Sequence, residues 1–108
     1  MADERTDFPT ISAQGEIDVV SSRPLAAQLA DLAGQAGGAV LDLTQVTLID
    51  SVGLGVVLKA AGRFQRQDKT LVLVAPPDTP ARSILDFAGT DGRVTVVDSA
   101  DEAASVLT

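Results

Sequence analysis

Few side chains in this 108-residue sequence are able to do covalent chemistry, and one pair stands out by its position. In Leu48-Ile49-Asp50-Ser51-Val52-Gly53-Leu54-Gly55, an apolar run passes through an acid and a hydroxyl into a segment of helical periodicity. Ser51 therefore falls at a helix N-terminus. Asp50 or Ser51 can act there as an N-cap, accepting from a free backbone N–H and contributing about 1 kcal/mol. A hydroxyl at that place can also carry a phosphate, because the free N–H groups and the positive end of the helix dipole favour negative charge. Position alone does not choose between these roles.

The remaining inventory removes most other chemistry. With no His and no Cys, the chain lacks an imidazole base, a thiol nucleophile, disulfides and thiolate metal sites. It has no Gly-Lys-Ser/Thr for a P-loop, and Leu58 stands where a dinucleotide fingerprint starting at Gly53-Leu54-Gly55 needs its third glycine. Asp42 is available as a receiver-type phosphoacceptor, but Lys69 precedes its strand instead of ending it. Asp98, Asp101 and Glu102 gather near the last helix, where an acidic first turn complements the dipole and explains them without a metal. Asp3, Glu4 and Asp7 read as solvated. No metal, no cofactor and no enzymatic turnover are expected. Lys and Arg number 8 against 15 Asp and Glu, a net charge of −7, which disfavours bare nucleic acid and anionic membrane as partners. No apolar run approaches the ~18 residues of a membrane span, so a cytoplasmic location is expected.

The elements that must position Asp50 and Ser51 follow from apolar spacing. Ile11, Ala13, Gly15 and Ile17 alternate with Ser12, Gln14 and Glu16, the period-two pattern of a strand with one wet face at or near a sheet edge. Ser21 or Ser22 can cap a helix that takes Pro24 in its first turn and repeats Leu25, Leu29 and Leu32 on one face, until Gly34, Gly37 and Gly38 stop it. Residues 39–43 read as an interior strand buried on both faces, and residues 46–49 as a second apolar run leading into Asp50. Leu54, Val57, Leu58, Ala61 and Phe64 then form one face of a helix of about four turns, with Lys59, Arg63 and Arg66 off it. Residues 71–74 predict a buried strand. Thr79 or Asp78 can cap a helix from Pro80 with Ala81, Ile84, Leu85 and Ala88 inward, closed by Gly89 and Gly92. Residues 94–97 predict a further strand, and Ala100, Ala103, Ala104 and Leu107 a last short helix. Strand and helix alternate throughout, which predicts an α/β fold with a largely parallel central sheet. Residues 1–9 are expected to be a flexible tail and residues 10–108 a single domain.

Three stretches carry a resemblance: Gly15-Glu16-Ile17-Asp18, Val40-Leu41-Asp42-Leu43, and Ile49-Asp50-Ser51-Val52-Gly53-Leu54-Gly55-Val56-Val57-Leu58. Together they resemble the STAS domain family, and within it the bacterial anti-sigma factor antagonists, from about Ile11 to Leu107. The resemblance implies a single STAS-type α/β domain, with a mostly parallel sheet of four to five strands, mixed at the edge, and about four helices. It also implies that Ser51 is a phosphoacceptor, modified by a GHKL-type ATPase that is both serine kinase and anti-sigma factor, and reset by a serine phosphatase. Asp50 is then a recognition and positioning residue. Asp18 belongs to the docking surface, Val52 completes it, and Gly53 lets the partner approach closely. Val52 stands where the family often has a second small polar residue, so no alternative hydroxyl lies beside Ser51. On this reading the unphosphorylated monomer binds the kinase and frees a sigma factor. Two alternatives remain: a STAS scaffold subunit of a transport or signalling complex that is not phosphorylated, and a domain that binds a nucleotide or small metabolite directly.

Overall fold

The computed structural model describes residues 8–35, 37–90 and 94–108. Its elements run β1 (Thr10–Ile17), α1 (Ser22–Gln35), β2 (Gly38–Ile49), α2 (Ser51–Arg66), β3 (Thr70–Val74), α3 (Pro80–Phe87), β4 (Thr95–Val97) and α4 (Ala100–Leu107). The strands form one sheet in the order β1-β2-β3-β4, and every pair is parallel. A helix separates each strand from the next, and such a crossover returns the chain in the same direction, so the pairs must be parallel. The mixed edge expected above is not seen among the described residues: both edge strands, β1 and β4, pair parallel with their neighbours.

Strand alternation divides the core in two. Leu41, Leu43, Leu71 and Leu73 point to one face, where they meet Leu25 and Leu29 of α1, Val57, Ala61 and Phe64 of α2, and Ala81 and Leu85 of α3. Val40, Val72, Val74 and Val97 point to the other, where α4 covers them with Ala103 and Leu107. Leu54, Leu32 and Ile84 pack at the margin of the larger cluster. Ala88, expected inside, is exposed, because α3 ends at Phe87 and the chain turns away through Gly89, whose φ of +68° suits glycine.

The two apolar runs at 39–43 and 46–49 are one 12-residue strand. Its polar interruption is absorbed by irregular pairing with β1, where the register shifts between Ser12 and Gln14 and again between Gly15 and Glu16. Gly15 has φ +70° at the second shift, a left-handed conformation that side-chain-bearing residues rarely take. Asp42 ties down the interruption by accepting from the N–H of Thr44 at 2.9 Å and from its hydroxyl at 2.5 Å. Lys69 donates to the Ala33 carbonyl in the last turn of α1 at 2.9 Å, so it serves a helix end.

Residues 1–7 of the expected tail lie outside the described residues. Phe8 and Pro9 are held: Phe8 is half-buried, and the Pro9 carbonyl accepts from the N–H of Val40 at 2.9 Å.

Candidate functional site

The parallel sheet brings the C-terminal ends of β1 and β2 together, with Ile17 paired to Ile49. The next residues, Asp18 and Asp50, open the two loops that lead into α1 and α2. Asp50 is the N-cap of α2, with extended backbone (φ −84°, ψ 179°) and a carboxylate that accepts from the N–H of Gly53 at 2.8 Å. Its own N–H donates to the Ile17 carbonyl at 3.1 Å, which fastens the start of α2 to the end of β1. Because Asp50 does the capping, Ser51 is released from it. Ser51 is exposed at the first position of α2, and its hydroxyl makes no side-chain hydrogen bond among the described residues. Of the first-turn N–H groups, Gly53 is capped and Leu54 donates to the Asp50 carbonyl at 2.9 Å. Those of Ser51 and Val52 have no acceptor inside the helix.

Gly53 has a different part from the one the family resemblance implied. It is buried, and a Cβ placed on it would lie 2.5 Å from the Ile17 carbonyl oxygen and 2.7 Å from Ile17 Cγ2. Its missing side chain makes room for this protein's own β1, so it offers no surface to a partner. Val52, by contrast, is exposed beside Ser51.

Asp18 builds the turn into α1. Its carboxylate accepts from the N–H groups of Val20 at 3.0 Å and Ser21 at 2.9 Å. The Ser21 hydroxyl accepts from the Asp18 N–H at 2.9 Å and donates to the Glu16 carbonyl at 2.8 Å. Ser21 therefore closes the turn and caps no helix N–H, while Ser22 is buried as the first residue of α1. The Ser21 N–H, more than the other donors, holds the Asp18 carboxyl below its ordinary value of 3.8; partial burial opposes the shift and the Val20 N–H adds to it. A carboxyl whose folded pKa is lowered stabilises the fold above the unfolded value and loses that contribution as pH falls through the folded one. Asp18→Ala should accordingly melt below wild type at pH 7, and the gap should close as the pH is taken below 3.8. A gap that is constant across a pH series of thermal melts would show that Asp18 acts through something other than its charge.

Ser51, Asp50, Val52 and Asp18 thus gather at one end of the sheet, and the turn adds what the sequence reading missed. Val19 and Val20 are exposed at its tip, Val20 by 74%, with Leu48 exposed on β2 next to Glu16. Two valines inside a short turn, where polar residues and glycine are usual, were the available clue. The acidic residues near α4 lie elsewhere. Asp98 pairs with Arg82 at 2.6 Å, and Asp101 and Glu102 sit in the first turn of α4 behind its cap Ser99.

The family model described as "Mlab, STAS domain" matches residues 1–98. Among solved structures, an anti-sigma factor antagonist from Mycobacterium paratuberculosis is 24% identical, with 91% of this chain and 83% of that chain covered and a TM-score of 0.75. The Bacillus cell fate determinant SpoIIAA, in its phosphorylated form, is 19% identical over 92% of this chain and 89% of its own, with a TM-score of 0.68. A sulfate transporter family protein from Wolinella succinogenes is 16% identical over 93% and 86%, with a TM-score of 0.69. At these identities the likeness is one of fold.

Proposed function

The chain belongs to the STAS domain family, and we propose that within it the protein is an anti-sigma factor antagonist switched by phosphorylation at Ser51. Unphosphorylated, it binds a GHKL-type anti-sigma kinase through the ends of β1 and β2 and so frees a sigma factor. The kinase supplies ATP and transfers its γ-phosphoryl group to the Ser51 hydroxyl; a serine phosphatase removes it. The chain itself has no turnover and acts in the cytoplasm as a binding partner and substrate. One observation carries this reading: Asp50 takes the capping role and leaves the Ser51 hydroxyl exposed at a helix start, with no side-chain hydrogen bond among the described residues. A phosphate there meets the free N–H groups of Ser51 and Val52 and the positive dipole end. The likeness to an anti-sigma factor antagonist and to phosphorylated SpoIIAA supports the same reading.

Incubation with the cognate kinase and ATP should place phosphate on Ser51 as the single dominant site, read by mass spectrometry of the intact protein and its peptides. Stoichiometric phosphate on Thr47 or Ser83 with Ser51 unmodified would refute the assignment. The sulfate transporter relative favours a second reading, a scaffold subunit that uses this surface without phosphorylation. Protein isolated from the native host separates the two, since a scaffold would carry no phosphate at Ser51 under any growth condition.

A further inference from the structure

We infer that Val20, next to Val19 at the tip of the turn, is the apolar anchor of this surface, and that it fits a kinase pocket of apolar floor rimmed by Lys or Arg side chains. The inference rests on the kinase-partner reading given above. Val19, Val20 and Val52 are all about half exposed or more, and all lie in the segments that follow the C-terminal ends of β1 and β2, as Ser51 does. Scattered single apolar residues on a surface are ordinary, as Phe87 on α3 and Val106 on α4 are here, but several at one end of a sheet mark a contact surface. The tip is also rigid. Asp18 and Ser21 bind its backbone through four hydrogen bonds, and the Ser22 N–H adds a fifth to the Asp18 carbonyl at 2.9 Å. A turn already held in shape loses little freedom when it docks.

Charge decides the rim of the pocket. Glu16, Asp18 and Asp50 lie at the same strand ends as the valines, and the nearest cation to the turn along the chain is Arg23 on the first turn of α1. The crest is therefore acidic within a chain of net charge −7. A second copy of this chain would bring the same carboxylates face to face, whereas a pocket bordered by cations would neutralise them.

The test measures binding of the protein to each purified GHKL-type serine kinase of the host by calorimetry. Val20→Ser should weaken binding by roughly tenfold to thirtyfold, the loss expected when a buried valine contact is removed. Val20→Ile should bind like wild type, and Val106→Ser should stay within twofold. Affinity should fall as salt rises from low to physiological strength. All variants should melt with wild type, since Val20 and Val106 are exposed. If wild type binds and is phosphorylated while Val20→Ser binds equally well, the anchor assignment fails and the kinase reading stands. Binding that is indifferent to salt would overturn the cationic rim. If wild type binds no kinase and Ser51 stays unmodified, the kinase reading falls and takes the anchor with it. Wild-type dimers in sedimentation that Val20→Ser converts to monomers would make a second copy the occupant and overturn the proposal.

Discussion

Phosphorylation of Ser51 is expected to lower affinity for the anti-sigma kinase by roughly a thousandfold, about 4 kcal/mol, with the fold unchanged. A phosphate adds about −1.5 to −2 charge at pH 7, a small increment to a net charge of −7, so the effect must be local. On the free protein the dianion is tolerated. It sits at the first position of α2, beside two uncapped N–H groups and the positive dipole end, a setting that compensates it by about 0.3–1 kcal/mol. Inside a closed interface the same group loses its water while the Asp50 and Asp18 carboxylates stand nearby. The cations of the pocket rim are already paired with those carboxylates, so the phosphate has none of its own, and a buried charge without a matching cation costs several kcal/mol. Ser51→Ala should therefore bind constitutively and Ser51→Asp weakly, both with wild-type circular dichroism. Tight binding by Ser51→Asp, or loss of helix signal on authentic phosphorylation, would rule out an electrostatic switch.

Gly53→Ala should lower the melting temperature by roughly 4–8 °C once its helix-propensity gain is set against the clash, the other large effect. By helix propensity alone alanine would be favoured here by about 1 kcal/mol. The added Cβ, however, meets the Ile17 carbonyl oxygen at 2.5 Å and its carbonyl carbon at 3.0 Å, and backbone cannot swing aside as a side chain can. Either α2 backs away from β1, stretching the 3.1 Å bond from the Asp50 N–H to Ile17, or β1 deforms at the end of the sheet. Overpacking of this kind costs about 1–3 kcal/mol, and in a domain of this size each kcal/mol moves the midpoint by roughly 4 °C or more. Gly55→Ala provides the control, because a Cβ there meets nothing within 4 Å. It should gain about 0.5–1 kcal/mol from the lower entropy of the unfolded chain. Scanning calorimetry of the two variants that gave the same sign for both would show that close packing at Ile17 is not why position 53 is glycine.

Apolar spacing was enough to place all eight elements and to put Ser51 at the first position of α2, because periods of 2 and 3.6 are properties of the local chain. The alternation at Ile11, Ala13, Gly15 and Ile17 indicated a strand at or near the sheet edge, and of the two cap candidates before Pro80, Thr79 and Asp78, it is Thr79 that accepts from the Arg82 N–H at 3.3 Å. What a side chain does among several suitable partners was not legible. Ser21 looks like a helix cap in sequence, yet it closes the turn with Asp18, since the loop geometry brings the Glu16 carbonyl within its reach. Asp50 and Ser51 were equal candidates for capping α2 until the backbone at Asp50 aimed its carboxylate at Gly53. The joining of 39–43 and 46–49 into one strand also depended on distant chain, because β1 supplies the irregular pairing across the polar residues between them. Gly53 needed the approach of Ile17, 36 residues earlier, to show why it carries no side chain. Valines at 19 and 20 became a surface only when the parallel pairing of β1 with β2 set their turn beside Ser51. Local spacing encodes which backbone form a segment takes; contacts between segments far apart in the chain decide which of its groups are spent inside the fold and which are left for a partner.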